Sequence, residues 1–281
     1  MEISGHSKEV KDGERFEFGA NWDSFLKEVD EQRIMTAVQS LQQFFGKENF
    51  NGLRFIDVGC GSGLFSLAAR KLGATVYSFD YDPLSVRCAT ELKRRYFHDD
   101  PDWIVYEGSA LDNDFVVSLG AFDLVYSWGV LHHTGSMWKA IENIMSLTKM
   151  NGFFFIAIYN KQGWKSKFWW GIKFIYNKLP HWLKNPYAII TGFAFELLNT
   201  LKYILLLKPK IAFAPWRQYK KNRGMSLKHD MIDWIGGFPY EYASVQELNT
   251  FFGQHNFTAV KVLETQSQGC NQIVYKKEII K

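Results

Sequence analysis

Two acids, three glycines and two adjacent histidines carry the chemistry that this 281-residue chain displays most openly. Asp57 lies in the apolar run Phe55-Ile-Asp-Val58 and is followed by Gly59, Gly61 and Gly63, while Asp80 closes a second run, Val76-Tyr-Ser-Phe-Asp80. Glycines at that spacing let a backbone turn tightly and approach a ligand without Cβ clashes. An acid at the tip of the next strand is where ribose hydroxyls find their acceptor in mononucleotide-binding sheets. The pattern therefore reads as a nucleoside cradle. A dinucleotide fingerprint would place glycine where Leu64 stands, and a strand, turn and helix without any ligand is the plain alternative. His132 and His133 follow the later run Phe122–Trp128, and imidazole is suited to taking a proton near neutral pH. Tyr159, Asp230 and Asp233 are further candidates, with His133, to position or deprotonate a substrate.

These residues need a frame of alternating strands and helices. Phe55, Ile56 and Val58 suit a strand buried on both faces, and Leu64 to Leu72 carries apolar residues at helical spacing. Trp103 to Tyr106 reads as a third strand before the loop Gly108-Ser-Ala-Leu111. Phe122 to Trp128 is the fourth, amphipathic Met137 to Thr148 a helix, and Asn151 to Ile158 the fifth strand. That order predicts five parallel strands over residues 50 to 160. Later, Val245 to Phe252 reads as a helix, and Ala259 to Glu264 and Asn271 to Lys276 as two more strands. Ahead of the sheet, Phe16-Glu-Phe-Gly-Ala-Asn-Trp22 precedes a helix expected near Asp23 to Phe45.

The run Asp57-x-Gly-x-Gly-x-Gly63 resembles the first motif of class I S-adenosylmethionine (SAM) methyltransferases, and Phe122-Asp-Leu-Val-Tyr-Ser-Trp-Gly-Val-Leu-His-His133 resembles their fourth. Arg223-Gly-Met-Ser226, His229 to Glu241 and Gly269-Cys-Asn271 look like the C-terminal part of bacterial ubiquinone-biosynthesis-like O-methyltransferases. The resemblance implies an α/β fold, a Rossmann-like seven-stranded sheet whose sixth and seventh strands are antiparallel, with a basic, aromatic helical insertion after strand five. It implies SAM as cofactor and S-adenosylhomocysteine as product. Asp57 would face the methionine end, Asp80 the ribose, and the loop with Ser109 and Ala110 the adenine; Gly59, Gly61, Gly63, Tyr81 and Trp128 would also bind the cofactor, with Trp22 as a lid ring. The expected parts are a helical lid at 1–48, the cofactor core at 49–160, a cap at 161–226 and the completion of the sheet at 227–281.

Charge divides the chain sharply. Lys161 to Arg223 holds thirteen Lys or Arg and one acid, Glu196, so the remainder is eight charges negative although the whole carries +4. Fourteen of the 47 aromatic residues lie in the same stretch. Three readings stay open: a helical cap with its own aromatic core, a surface docking on anionic membrane, and, less favoured, a nucleic-acid contact. In the second, Trp164, Phe168, Trp169, Trp170, Phe174 and Trp182 alternate with Lys165, Lys167, Lys173, Lys178 and Lys184. Ala188 to Leu207 is apolar, but Glu196, Asn199 and Lys202 interrupt it, which favours a buried or interfacial helix over a spanning one.

Cys60, Cys88 and Cys270 show neither metal spacing nor an even disulfide framework, and the charged amino terminus lacks a signal-like apolar run. The expectation is a cytoplasmic protein, with peripheral membrane contact as the variant, and no metal site. Its expected activity is direct in-line methylation of an oxygen on a small or lipid-linked, quinol-like acceptor. RNA methylation, of tRNA foremost, and a non-catalytic SAM-binding sensor or assembly protein are the alternatives. Asp230, Asp233 and Glu241 with His229 and Trp234 leave two readings open: a substrate loop in which they converge over the cofactor, or a well-capped turn leading into the helix Ser244 to Phe252.

Overall fold

A computed structural model describes residues 5–19, 22, 26, 28–205, 232, 234–265 and 269–278. The chain separates into two compact units, one formed by Glu17–Lys167 with Pro239–Lys281 and the other by Met1–Phe16 with Phe168–Phe238.

The larger unit is built on a seven-stranded sheet of order β3-β2-β1-β4-β5-β7-β6. Its strands are β1 (Arg54–Val58), β2 (Thr75–Asp80), β3 (Trp103–Glu107), β4 (Phe122–Trp128), β5 (Thr148–Tyr159), β6 (Phe257–Leu263) and β7 (Cys270–Lys277). The first five pair in parallel, and β7 runs antiparallel to both β5 and β6. Side-chain alternation explains the burial of both faces. Ile56, Val58, Val125 and Ile156 enter one core, and Phe55, Leu124, Tyr126 and Phe155 the other. In the second core Phe50, Phe55, Tyr126 and Phe155 form a ladder of stacked rings with successive centroids 6.2, 5.9 and 4.7 Å apart. The switch in strand order falls between β1 and β4, so their carboxyl ends open the crevice in which open α/β sheets bind ligands.

Helices of this unit are α2 (Glu31–Phe45), α3 (Leu64–Lys71), α4 (Pro83–Phe97), α5 (Asn113–Ser118), α6 (Met137–Met145) and α9 (Val245–Gln254), while α1 (Gly5–Lys11) precedes them in the other unit. Two differ from expectation. The helix anticipated from Asp23 begins at Glu31, because Asp30 takes the extended backbone of an N-cap and accepts from the Arg33 amide. α6 stops at Met145, and β5 already starts at Thr148. Ser244 and Glu247 form a reciprocal capping box that starts α9.

The described part of the insertion is two helices, α7 (Trp164–Lys178), which crosses the boundary between the units, and α8 (His181–Leu205). They sort the alternating Trp and Lys residues into two sets. Trp169 is buried against Phe195 and Trp234, with centroids at 5.1 and 4.0 Å, and Ala188 and Ile235 are buried in the same unit. Lys173, expected on the surface, is 1% exposed and its ammonium donates to the Trp234 carbonyl, while Asn177 donates to the Gly236 carbonyl at 2.7 Å. Phe168, Trp170, Phe174 and Trp182 face solvent. No helix among the described residues is long and apolar enough to cross a membrane.

Candidate active site

The glycine turn after β1 begins the site. Gly59, Gly61 and Gly63 all have positive φ, at 71°, 52° and 80°, which a side chain would strain. Gly59 and Cys60 donate their amides to the Phe79 carbonyl, locking the turn against the end of β2. At Gly61 an added Cβ would lie 2.9 Å from the Trp22 indole, so the ring expected to act as a lid rests on the middle of the turn.

Asp80 accepts the Gly61 amide on Oδ2 and the Asp82 amide on Oδ1, each at 2.9 Å. Burial pushes its carboxyl up to about 6, against the hydrogen bonds that pull the other way. Asp57 is buried at the head of a polar chain. The Trp103 indole donates to Ser78 Oγ at 2.9 Å, Ser78 to Ser66 at 2.8 Å, and Ser66 to Asp57 Oδ2 at 2.6 Å. Burial first, and the nearby Asp80 charge after the Ser66 bond, push Asp57 up to about 7. Among the described residues no Lys or Arg is bonded to either acid. A buried and a half-buried carboxylate beside a glycine turn, with no Lys or Arg among the described residues bonded to either, suit a ligand that brings positive charge and hydroxyl donors, and SAM carries an ammonium, a sulfonium and a ribose diol.

The neighbouring loop is pinned from an unexpected side. Ser109 Oγ accepts the Leu111 amide at 3.1 Å, and Ala110 is buried with its carbonyl taking a bond from Asn143 of α6 at 3.0 Å. Tyr81 is half-buried after β2, and Trp128 stands exposed at the end of β4. Asp82, which sequence reasoning passed over, N-caps α4 through the Leu84 amide at 2.9 Å and also accepts the Gly19 amide at 2.7 Å. Its signal was present as an Asp-Pro helix start.

His132 and His133 sit in a 3-10 turn, Leu131–His133, beyond β4, and both are buried. His133 Nδ1 lies 2.6 Å from the Pro239 carbonyl, which can only accept, so Nδ1 bears a proton and, in the neutral ring, the lone pair falls on Nε2. Phe18 packs on its ring at 4.9 Å and Tyr159 at 5.5 Å. His132 instead faces the backbone, with Nδ1 accepting the Tyr159 amide at 3.4 Å and its ring 4.0 Å from that of Tyr159. Tyr240 joins at 5.2 Å from Tyr159, and burial pushes its hydroxyl up to about 12. Glu241 accepts the Met137 amide at 3.0 Å at the start of α6, and Trp234 belongs to the aromatic cluster of the insertion. His229, Asp230 and Asp233 lie outside the described residues. No cluster of three or more His, Cys, Asp or Glu suited to a metal occurs among the described residues.

Thus Trp22, Asp57, Gly59, Gly61, Gly63, Asp80 and His133 all belong to the sheet unit, on the segments that follow or face β1, β2 and β4. A family model described as a methyltransferase domain matches residues 29–262. Relatives include the ubiquinone biosynthesis O-methyltransferase of Colwellia psychrerythraea, 32% identical over 46% of this chain and 50% of its own length. The protein of the same name from Methylobacterium sp. is 29% identical over 41% of this chain and 45% of its own. The chain thus spans about half the length of these relatives. Among solved structures, an O-methyltransferase family protein from Burkholderia thailandensis aligns with TM-score 0.56 at 12% identity, over 99% of this chain and 64% of that one. PKMT2 from Rickettsia typhi in complex with AdoHcy aligns with TM-score 0.57 at 12% identity, over 85% and 52%. These structures share the fold. By the extent of the family match and by its seven-stranded sheet, the chain belongs to the methyltransferase-domain family, the class I enzymes whose cofactor is SAM.

Proposed function

We propose that the protein methylates an oxygen of a small, quinol-like or lipid-linked acceptor, with His133 as the base. The observation that carries this reading is the contact of His133 Nδ1 with the Pro239 carbonyl, which orients the imidazole in the turn beyond β4, beside the carboxyl ends of the strands. The names of the relatives, ubiquinone biosynthesis O-methyltransferases, support an oxygen nucleophile on a quinol-like ring.

SAM, when bound, supplies a methyl carbon that is already electrophilic. The protein's tasks are then to orient, to exclude water and to move one proton. Asp80 would take the ribose hydroxyls, the glycine turn would admit the methionine portion beside Asp57, and the loop at Ser109 and Ala110 would lie against the adenine. Tyr81 and Trp128 would line the same edge, and Trp22 would close over the turn. His133 Nε2 would accept the acceptor hydroxyl's proton, while Tyr159, packed against both histidines, would hold the imidazoles in place.

The test is transfer of labelled methyl from SAM into a host extract, fractionated into organic-soluble, aqueous, RNA and protein pools. Label in the organic pool is expected. Label confined to RNA would replace the acceptor class, and cofactor binding with no label in any pool would mean a sensor rather than an enzyme.

A further inference from the structure

The insertion keeps a long apolar face in solvent. Along α8, Trp182, Ile190, Phe193, Leu197, Leu201 and Ile204 recur at helical spacing on one side, and all are exposed, Trp182 by 73%, Ile190 by 68% and Phe193 by 59%. From Trp182 to Ile204 that side runs for about 33 Å at the helical rise and holds no charged residue. Ordinary soluble surfaces scatter apolar side chains singly and do not line them up. The opposite side of α8 already has its partner, since Phe195 packs on Trp169 and Trp234 and Ala188 is buried. The exposed stripe is therefore a surplus over what folding uses.

Charge identifies the occupant. Lys178 is exposed at the end of α7 and Lys184 lies on the first turn of α8, both in the same unit as the stripe. Across Lys161 to Arg223 a single acid, Glu196, stands against thirteen bases. A second copy of the chain would bring like charges together. Nucleic acid would match the lysines, but Ile190, Leu197, Leu201 and Ile204 have no flat ring on which a base can stack. An anionic bilayer matches both halves, because aliphatic side chains enter the acyl boundary, Trp prefers the headgroup level and lysines meet phosphates.

We propose that the exposed face of α8, with Lys178 and with Lys184 of its own first turn, docks on an anionic phospholipid bilayer, the helix lying in the plane of the interface. The inference stands on surface chemistry and survives even if the acceptor proves to be water-soluble.

Flotation of the full chain with vesicles tests it. The protein should rise with phosphatidylcholine vesicles containing phosphatidylglycerol, stay down with phosphatidylcholine alone, and lose flotation at high salt. Phe193→Glu with Leu197→Glu should lower the vesicle-bound fraction at least ~tenfold at any salt. Lys178→Glu should lower it about fivefold at low salt only. Both variants change exposed residues, so circular dichroism and melting temperature should match the parent. A parent that stays down with anionic vesicles overturns the proposal, as does a Phe193, Leu197 variant that floats like the parent. If that variant instead abolishes a concentration-dependent dimer or retention on RNA while the parent ignores vesicles, the face belongs to that other partner and the proposal falls.

Discussion

The sheet unit and the insertion are both rich in aromatic residues, and they use them in opposite ways. Phe50, Phe55, Tyr126 and Phe155 stack inside the sheet unit with little or no exposure, whereas Trp182, Phe193 and Trp170 stand in solvent on the insertion helices. Charge follows the same division. The sheet unit holds Asp57 and Asp80 where no base among the described residues is bonded to them, and the insertion surrounds exposed apolar side chains with lysine. Polar groups are worth most where water is excluded, and apolar groups are worth most where something remains to be excluded from water. One unit has thus completed its burial and left its charges in want of a ligand. The other has left its burial incomplete.

That contrast can be broken in several places. His133→Ala should lower kcat by about 10²–10⁴ while calorimetric SAM affinity holds, because a positioned base acts on the chemical step. A loss confined to SAM binding would move His133 into the cofactor's environment instead. Phe155→Ala should cost about 3–5 kcal/mol in denaturant unfolding, since a fully buried ring leaves a cavity between stacked neighbours. Asp80→Ala should weaken SAM about 10–100-fold by loss of charge-assisted hydrogen bonds, and unchanged affinity would place the ribose elsewhere.

A smaller effect follows from pH. Asp57 and Asp80 are pushed up to about 7 and about 6 from 3.8, so the folded protein without cofactor holds protons that the unfolded chain has released. Their contribution to its stability is full below 3.8 and declines as pH rises through 6 and 7, where the carboxylates ionise. A cationic ligand selects the ionised form, so SAM affinity should fall about tenfold between about pH 8 and about pH 5.5, and a flat profile would show that neither acid faces it. Phe193→Ser should sit at the other end of the scale, within about 0.5 kcal/mol of the parent by the same unfolding measurement. A large loss there would mean that the insertion's stripe is packed after all.

The strands and the glycine turn were legible because their signals are local. An apolar run followed by Gly59, Gly61 and Gly63 has few backbone solutions, and the alternation in β1 and β4 tells which residues enter each core. Long-range pairing was not legible. Pro239 lies 106 residues from the His133 that it orients, and Gly19 lies 63 residues from Asp82, so no periodicity links either pair. In the insertion, composition announced aromatics and lysines but could not sort them by side. Lys173 looked like its neighbours and yet is buried, because the Trp234 carbonyl lies within its reach. The start of α2 was misplaced for a related reason. Helical composition continues upstream of Glu31, and only the cap at Asp30 sets the boundary.

The polar chain from Trp103 to Asp57 has a fixed polarity as long as Asp57 is ionised. An indole N–H only donates and a carboxylate only accepts, so Ser78 and Ser66 between them each have one permitted orientation. While Asp57 is ionised its Oδ2 thereby accepts from Ser66, and that bond fixes the plane in which the carboxylate meets an incoming cation. The plane is held from three side chains away, at the edge strand β3, by the indole of Trp103.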